Sequence, residues 1–369
     1  MKILVKTLKG LEDVLAEEIE KIGGKDIKVF RRAVEFEGGT EELYRANVEL
    51  RTALRVLMVK KVFFAKNEDQ LYKTMYNIPW ESIMKLGDTF SIDCTSNSEI
   101  FRHSKYAALK TKDAIVDRYR DKFGKRPNVN IHTPTYRINL HINNERITLS
   151  LDSSGESLHL RGYRENTVDA PLNEVLAAGI LMLTGWNGNS NLMDPMCGSG
   201  TLVIEATKIA LGQPPQQRDR EYGFMKWKSY DKKLMDQVVE KAFALKKREV
   251  PQILARDKSL RSVKVAQVNA QAAGVSQYLD IEKKDILKTE PMENMTVISN
   301  PPYDVRLKDS NINRFYQNIL NHLLASLKES QIWIFTGNIE ALEAVQQNAD
   351  ETVMLDNGGI PANLKLFRS

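Results

Sequence analysis

Apolar positions near the N-terminus recur at helical spacing, with Leu11, Val14, Leu15, Ile19 and Ile22 on one face until Gly23-Gly24 stops the run. The weakly alternating residues 3–8 before it predict a short strand. VFRRAVEFEGG, from Val29, alternates like a strand, and TEELYRANVELRTALRVLMVKKVFF predicts one or two helices running into another strand. A small α+β unit therefore fills residues 1–65. A second unit, residues 66–154, is predicted to hold a helix near 68–77, the strand TFSIDCTS from Thr89 and a helix over about 102–123. The strands VNIHTPT, YRINLHIN and ERITLSLDS follow it.

From residue 155 the order changes. After the connector SGESLHLRGYRENTVDAP, the helix LNEVLAAGILMLTG opens a repeat of strand, turn and helix, which predicts a parallel sheet with helices on both faces. Its strands read NLMDP (191–195), QILARD (252–257), LDIEKKD (279–285), MTVISN (295–300) and QIWIFTG (331–337). ETVMLDN and ANLKLFRS, joined around Asn357-Gly358-Gly359, predict a closing antiparallel hairpin. Residues 213–250, between the first two strands, are too long for a plain crossover and predict a helix plus an inserted polar and aromatic element. No repeat of fixed period interrupts this order.

Composition excludes several classes. A chain with 42% hydrophobic and 27% charged residues is globular, not disordered or fibrous. No run of about 18 apolar residues occurs, and MKILVKTLKG reaches charges and a glycine too soon for a secretory core, so a cytoplasmic protein is expected. Cys94 and Cys197 are too few for a disulfide framework or thiolate zinc site, and five scattered His residues predict no metal centre. The net charge of +5 becomes informative through its placement: Glu99–Arg126 holds nine Lys or Arg against four Asp or Glu, equal to the whole chain's excess.

The chemistry-bearing residues sit at strand ends. Asp194-Pro195-Met196-Cys197-Gly198-Ser199-Gly200-Thr201 lies between a strand and the helix TLVIEATKIAL. Glycines there let the backbone approach a ligand, and the helix N-terminus offers free N–H groups to an anionic group. The spacing matches neither the dinucleotide fingerprint nor the phosphate loop. Asp257, at the next strand end, is placed to accept two ribose hydroxyls, although an Asp there also serves as a helix cap; Asp285 is similarly placed and similarly ambiguous. The third feature is Ser299-Asn300-Pro301-Pro302-Tyr303. Proline removes competing donors, so the Asn300 amide oxygen and the Pro301 carbonyl can together accept both hydrogens of an exocyclic amine, while Tyr303 stacks on the base.

DPMCGSGTLVIEA, the acidic strand ends and SNPPY together resemble the class I S-adenosylmethionine-dependent methyltransferases that act on exocyclic amines of nucleobases. LRGYRENTVDAPLNEVLAAGIL and the aromatic GFMKW of the insertion resemble the bacterial branch with a ferredoxin-like domain and a THUMP domain, and within it the 23S ribosomal RNA guanine-N2 methyltransferases. The resemblance covers nearly the whole length. It implies a ferredoxin-like domain over 1–65, a THUMP domain over 66–154, and a Rossmann-like methyltransferase domain with a mostly parallel seven-stranded sheet over 155–369. It also implies S-adenosylmethionine as cofactor and no metal. Asp194, Pro195, Met196, Cys197, Gly198, Gly200, Thr201, Asp257, Lys258, Asp285, Ile286 and Asn300 would border the cofactor, with the Gly198 to Thr201 turn facing the methionine part, Asp257 the ribose hydroxyls and Asp285 or its neighbouring backbone the adenine; Asn300 would also act with Pro301, Pro302 and Tyr303 on the amine. The chain departs from relatives in reading ARD, at Ala255 to Asp257, where a Gly-rich GSD is common, and in ending after one methyltransferase domain where some relatives carry a second.

The basic stretch suits RNA. Arg102, His103, Lys105, Tyr106 and Lys110 open its helix with cations and an aromatic, the types that meet phosphates and bases, although Asp113, Asp117 and Asp121 interleave as on a solvated face. The expectation is a monomeric enzyme that methylates the N2 amine of a guanine in structured RNA, ribosomal first and transfer RNA next. Adenine-N6 methylation of DNA or RNA, and an inactive RNA-binding assembly factor, are the alternatives.

Overall fold

The computed structural model describes residues 1–165, 171–244, 249–302 and 309–369, the first three residues of the last span by their backbone alone. The first half runs β1 (Lys2–Lys6), α1 (Glu12–Lys21), β2 (Lys25–Phe30), β3 (Ala33–Glu37), α2 (Thr40–Glu49) and β4 (Arg55–Phe64). It continues with α3 (Glu68–Tyr76), α4 (Trp80–Ile83), β5 (Thr89–Asn97), α5 (Ser104–Phe123), β6 (Asn128–Val129), β7 (Tyr136–Asn143) and β8 (Arg146–Asp152). All eight strands form one sheet in the order β2-β3-β1-β4-β8-β7-β5-β6. The two N-terminal units share that sheet, because β4 pairs with β1 along one edge and with β8 along the other.

Two expectations need correction. The single strand read in VFRRAVEFEGG is a hairpin: β2 and β3 pair antiparallel across Arg31-Arg32, and Arg32 takes φ +62°, which only the left-handed region allows. VNIHTPT shrinks to the two-residue β6, because the Asn130 side chain accepts the backbone N–H groups of His132 and Thr133 and folds the remainder into a turn.

The second half holds α6 (Glu174–Leu183), β9 (Asn191–Asp194), α7 (Thr201–Ala210), α8 (Lys232–Phe243), β10 (Ile253–Asp257), α9 (Leu260–Ala272), β11 (Asp280–Lys283) and β12 (Met292–Glu293). After these come β13 (Met295–Ser299), α10 (Asp309–Ser326), β14 (Leu327–Lys328), β15 (Gln331–Thr336), α11 (Ile339–Glu343), β16 (Glu351–Asn357) and β17 (Ile360–Arg368). Seven of these strands make the sheet β11-β10-β9-β13-β15-β17-β16, parallel from β11 to β15 and closed by the antiparallel hairpin. Buried clusters lie against both faces: α6 and α7 contribute Leu176, Ile180 and Val203 to one, and α10 contributes Tyr316, Ile319 and Leu323 to the other. Chain order runs outward from β9 in one direction and from β13 in the other, so their carboxyl ends flank the crevice where such sheets bind ligands. No helix among the described residues is long and apolar enough to cross a membrane.

The insertion leaves this domain and packs onto the first half. Phe224 stacks on Tyr44 of α2 at 4.3 Å between ring centroids, and Trp227 stacks on Tyr136 of β7 at 5.8 Å. The same two tyrosine hydroxyls accept the backbone N–H groups of Asp231 and Lys228. Met235 and Val238 of α8 join the first half's hydrophobic core. A buried polar cluster forms a second seam, in which Lys208 of α7 donates to the Pro215 carbonyl at 2.9 Å, Arg161 lies 3.7 Å from Glu205, and Arg51 donates to the Gln213 carbonyl.

Candidate active site

The glycine turn after β9 and the end of β10 form one unit. Asp194 is the last residue of β9, and its carboxylate accepts the Met196 N–H at 3.1 Å. The Cys197 N–H reaches the Arg256 carbonyl at 2.8 Å, and the Gly198 N–H reaches one oxygen of Asp257 at 3.1 Å. The other Asp257 oxygen accepts the Ser259 N–H at 2.8 Å, and the Lys284 N–H reaches the Asp257 carbonyl at 3.0 Å. Three successive strand ends are thereby fastened together. Gly200 stands at φ +82° directly before α7, where a Cβ would sit 3.1 Å from that of Ala266; packing and dihedral both call for glycine.

Asp285 accepts the Leu287 N–H at 3.0 Å and caps the 3-10 turn Ile286–Lys288. Asp285 thus performs the capping role that sequence left open, whereas α9 is capped by Ser259, whose backbone N–H Asp257 holds; each carboxylate retains lone pairs for a ligand. The β9–β13 register places Val297 opposite Met193, and its continuation brings Ser299 beside Pro195 and Asn300 beside Met196 where the two chains leave the sheet. Asn300 is half-buried, Pro301 buried and Pro302 exposed; Tyr303 lies outside the described residues. Lys258 is exposed, whereas the Cys197 and Ile286 side chains sit in hydrophobic clusters and leave only their backbone for the crevice. Arg256, in the ARD departure, pairs with Asp280 at 2.6 Å.

Burial dominates the electrostatics. Asp194 is pushed up to about 7 by desolvation, against the Met196 N–H, which favours the ionised form; the Asp257 charge adds to the rise. Burial also holds the Cys197 thiol well above its ordinary value, so it stays protonated and offers no nucleophile.

The structure brings in residues that sequence did not single out. Arg164, from the connector, donates to Glu174 at 2.9 Å, to the Leu172 carbonyl at 2.8 Å and to the Thr201 hydroxyl at 3.2 Å. Its Nη1 is buried without a partner among the described residues, as is the hydroxyl of Ser299 beside Asn300. An arginine ten residues before a helix-opening glutamate was the only signal in the sequence.

Helix α5 divides in two. Its later cations are occupied: Arg118 grips Glu81 with two bonds of 2.8 Å and Lys122 joins the same carboxylate at 2.6 Å. Asp117 and Asp121 accept the hydroxyls of Tyr72 and Tyr76 from α3. Arg102, His103, Lys105 and Tyr106 are exposed around its start, and Lys110 lies over the Tyr106 ring at 5.7 Å. Arg102, His103 and Tyr106 also line a cavity of about 150 Å³ with Glu68, Glu99 and Ile100. Among the described residues no group of three or more His, Cys, Asp or Glu is arranged to hold a metal ion.

Three families match successive parts of the chain: an RlmL ferredoxin-like domain at residues 2–57, a THUMP domain at 65–152, and an RMKL-like methyltransferase domain at 161–365. A Psychromonas ingrahamii relative named ribosomal RNA large subunit methyltransferase K/L is 36% identical over 100% of this chain and 50% of its own length. The chain spans about half the length of the curated relatives it matches. A methyltransferase crystallised with S-adenosylhomocysteine superposes with a TM-score of 0.90 at 26% identity, covering 100% of this chain and 98% of the other. A Listeria monocytogenes protein named as a predicted N6-adenine-specific DNA methylase superposes with a TM-score of 0.87 at 26% identity, over 99% of this chain and 95% of the other.

Proposed function

From the premise that the chain belongs to the RMKL-like methyltransferase family, and carries an RlmL-type ferredoxin-like domain and a THUMP domain, we propose that it is an S-adenosylmethionine-dependent RNA methyltransferase. Its target is the N2 amine of a guanine in large-subunit ribosomal RNA. The observation that carries this reading is the alignment of the Gly198 turn, Asp257 and Asn300-Pro301 at the carboxyl ends of β9, β10 and β13. The domain boundaries proposed are 1–65, 66–154 and 155–369.

The residues present fit the cofactor. Each Asp257 oxygen already accepts one backbone N–H and keeps a further lone pair, enough for two ribose hydroxyls. When bound, the cofactor supplies an electrophilic sulfonium methyl group. Asn300 and the Pro301 carbonyl accept the two amine hydrogens and aim the nitrogen lone pair, which is otherwise delocalised into the ring. Pro302, without an N–H, leaves those acceptors uncontested. Catalysis then rests on positioning and preorganised dipoles, and the methylated amine loses its proton without a strong base. The target base must leave its stack to reach the crevice, and the exposed cations at the start of α5 hold the surrounding RNA.

The deciding experiment incubates the purified chain with S-adenosylmethionine and unmodified large-subunit ribosomal RNA, followed by nucleoside mass spectrometry. N2-methylguanosine is expected. N6-methyladenosine alone would replace guanine by adenine and keep the amine chemistry. Cofactor binding without any methylated nucleoside, in ribosomal or transfer RNA, would favour an RNA-binding assembly factor.

A further inference from the structure

Arg164 is an arginine with a half-used guanidinium. Its Nε donates to Glu174, and its Nη2 donates to the Leu172 carbonyl and the Thr201 hydroxyl. Those bonds use three of the five donors of a guanidinium. The two remaining hydrogens are on Nη1, which is buried and has no partner among the described residues. A buried donor left unmatched is costly, and two on one charged group call for an anionic acceptor.

The position of the group identifies that acceptor. Glu174, with 4% of its side chain exposed, fixes the guanidinium from the start of α6. Thr201, the first residue of α7, ties it to the glycine turn through a further hydroxyl contact of 3.2 Å with Ser199. The Glu165 N–H meets Asn269, whose amide donates to the Ser199 carbonyl, so the connector is laced to the same turn. Among the described residues the hydrogen bonds of Arg164 go to Glu174, Leu172 and Thr201, and none goes to Asp257 or Asp285 on the ribose and adenine side.

We propose that Arg164 binds the carboxylate of the cofactor's amino-acid moiety and fixes the methionine end against the Gly198–Thr201 turn. The proposal rests on the cofactor reading above and adds a residue and a ligand group to it. Glu174 neutralises part of the arginine and locks its rotamer, so the free edge is preorganised for one planar anion.

Calorimetry with two ligands tests the assignment. S-adenosylhomocysteine carries the amino acid, whereas 5′-methylthioadenosine keeps the adenine, ribose and thioether and lacks it. Arg164→Met should weaken S-adenosylhomocysteine about 10- to 100-fold, the range for a lost charged hydrogen bond, and leave methylthioadenosine unchanged. Arg164→Lys, which keeps a cation in the fold, should show a smaller loss with the same selectivity. Equal losses for both ligands, or no loss for either, in the variants that fold would overturn the proposal. Wild-type protein that binds neither ligand would overturn the cofactor reading itself, and the two failures are thereby separated.

Discussion

The backbone N–H of Gly198 donates to the carboxylate of Asp257 across 3.1 Å, joining the glycine turn after one strand to the acidic end of the next. Without this bond the two signatures would be neighbours only by topology. With it, the carboxylate sets the conformation of the turn, so a change at Asp257 alters the surface offered by Gly198 as well as its own.

Asp257→Ala should therefore weaken S-adenosylhomocysteine binding by about 1.5–3 kcal/mol, the range for hydrogen bonds to a charged group. It should also lower stability by about 1 kcal/mol, because the backbone N–H of Ser259, the residue that caps α9, loses its acceptor. Titration calorimetry and denaturant unfolding read the two effects separately. Unaltered affinity would move the ribose to another strand end.

The strand ends were legible because a parallel sheet concentrates chemistry at its carboxyl edge, and the motifs fall there by register. Other features needed the third dimension. The Arg31-Arg32 hairpin was hidden because alternation of period two continues on both sides of a turn with no Gly or Asn to mark it. The mixed charges of α5 were ambiguous because their partners, Tyr72, Tyr76 and Glu81, come from two other helices. Arg164 was invisible for the same reason: it becomes a buried donor only when Leu172, Glu174 and Thr201 converge on it.

Asp194 gives the protein a pH signature. Burial raises its folded pKa to about 7, above the value in an unfolded chain, so the native state binds the extra proton between the two. Its contribution to stability is present below the unfolded pKa and is lost as pH rises through about 7. Asp194→Asn, which cannot ionise, should gain stability relative to wild type on going from pH 4 to pH 8, on the order of a few kcal/mol. Urea unfolding across that range checks the sign, and parallel curves for the two proteins would mean that Asp194 is ionised without penalty.

The aromatic insertion should act as the fastening between the halves. Phe224 and Trp227 stack on Tyr44 of α2 and Tyr136 of β7, which come from different ends of the N-terminal half of the chain. Phe224→Ala should cost about 3–5 kcal/mol, as other buried Phe truncations do. The loss should appear as an earlier transition of the N-terminal half in calorimetry, while S-adenosylhomocysteine continues to protect the second half. A cost below about 1 kcal/mol would reduce the stack to a surface contact.

RNA capture and methyl transfer should separate by residue. Asn300 stands at the end of β13 in the crevice, whereas Arg102 and Lys105 stand exposed around the start of α5 in the N-terminal half. Asn300→Ala removes one preorganised polar contact to the amine and should slow single-turnover methylation at saturating RNA by about 100- to 1000-fold, with RNA affinity little changed. Arg102→Ala with Lys105→Ala should do the reverse, weakening binding and flattening its salt dependence by up to about two units of slope. The structure adds a control that composition could not supply. Arg118, on the same helix, is already gripped by Glu81, so Arg118→Ala should lower stability and leave the salt slope intact. Equal slopes for the double variant and wild type would make the start of α5 a solvated face, and a slope change at Arg118 would show that the ion pair opens to meet RNA.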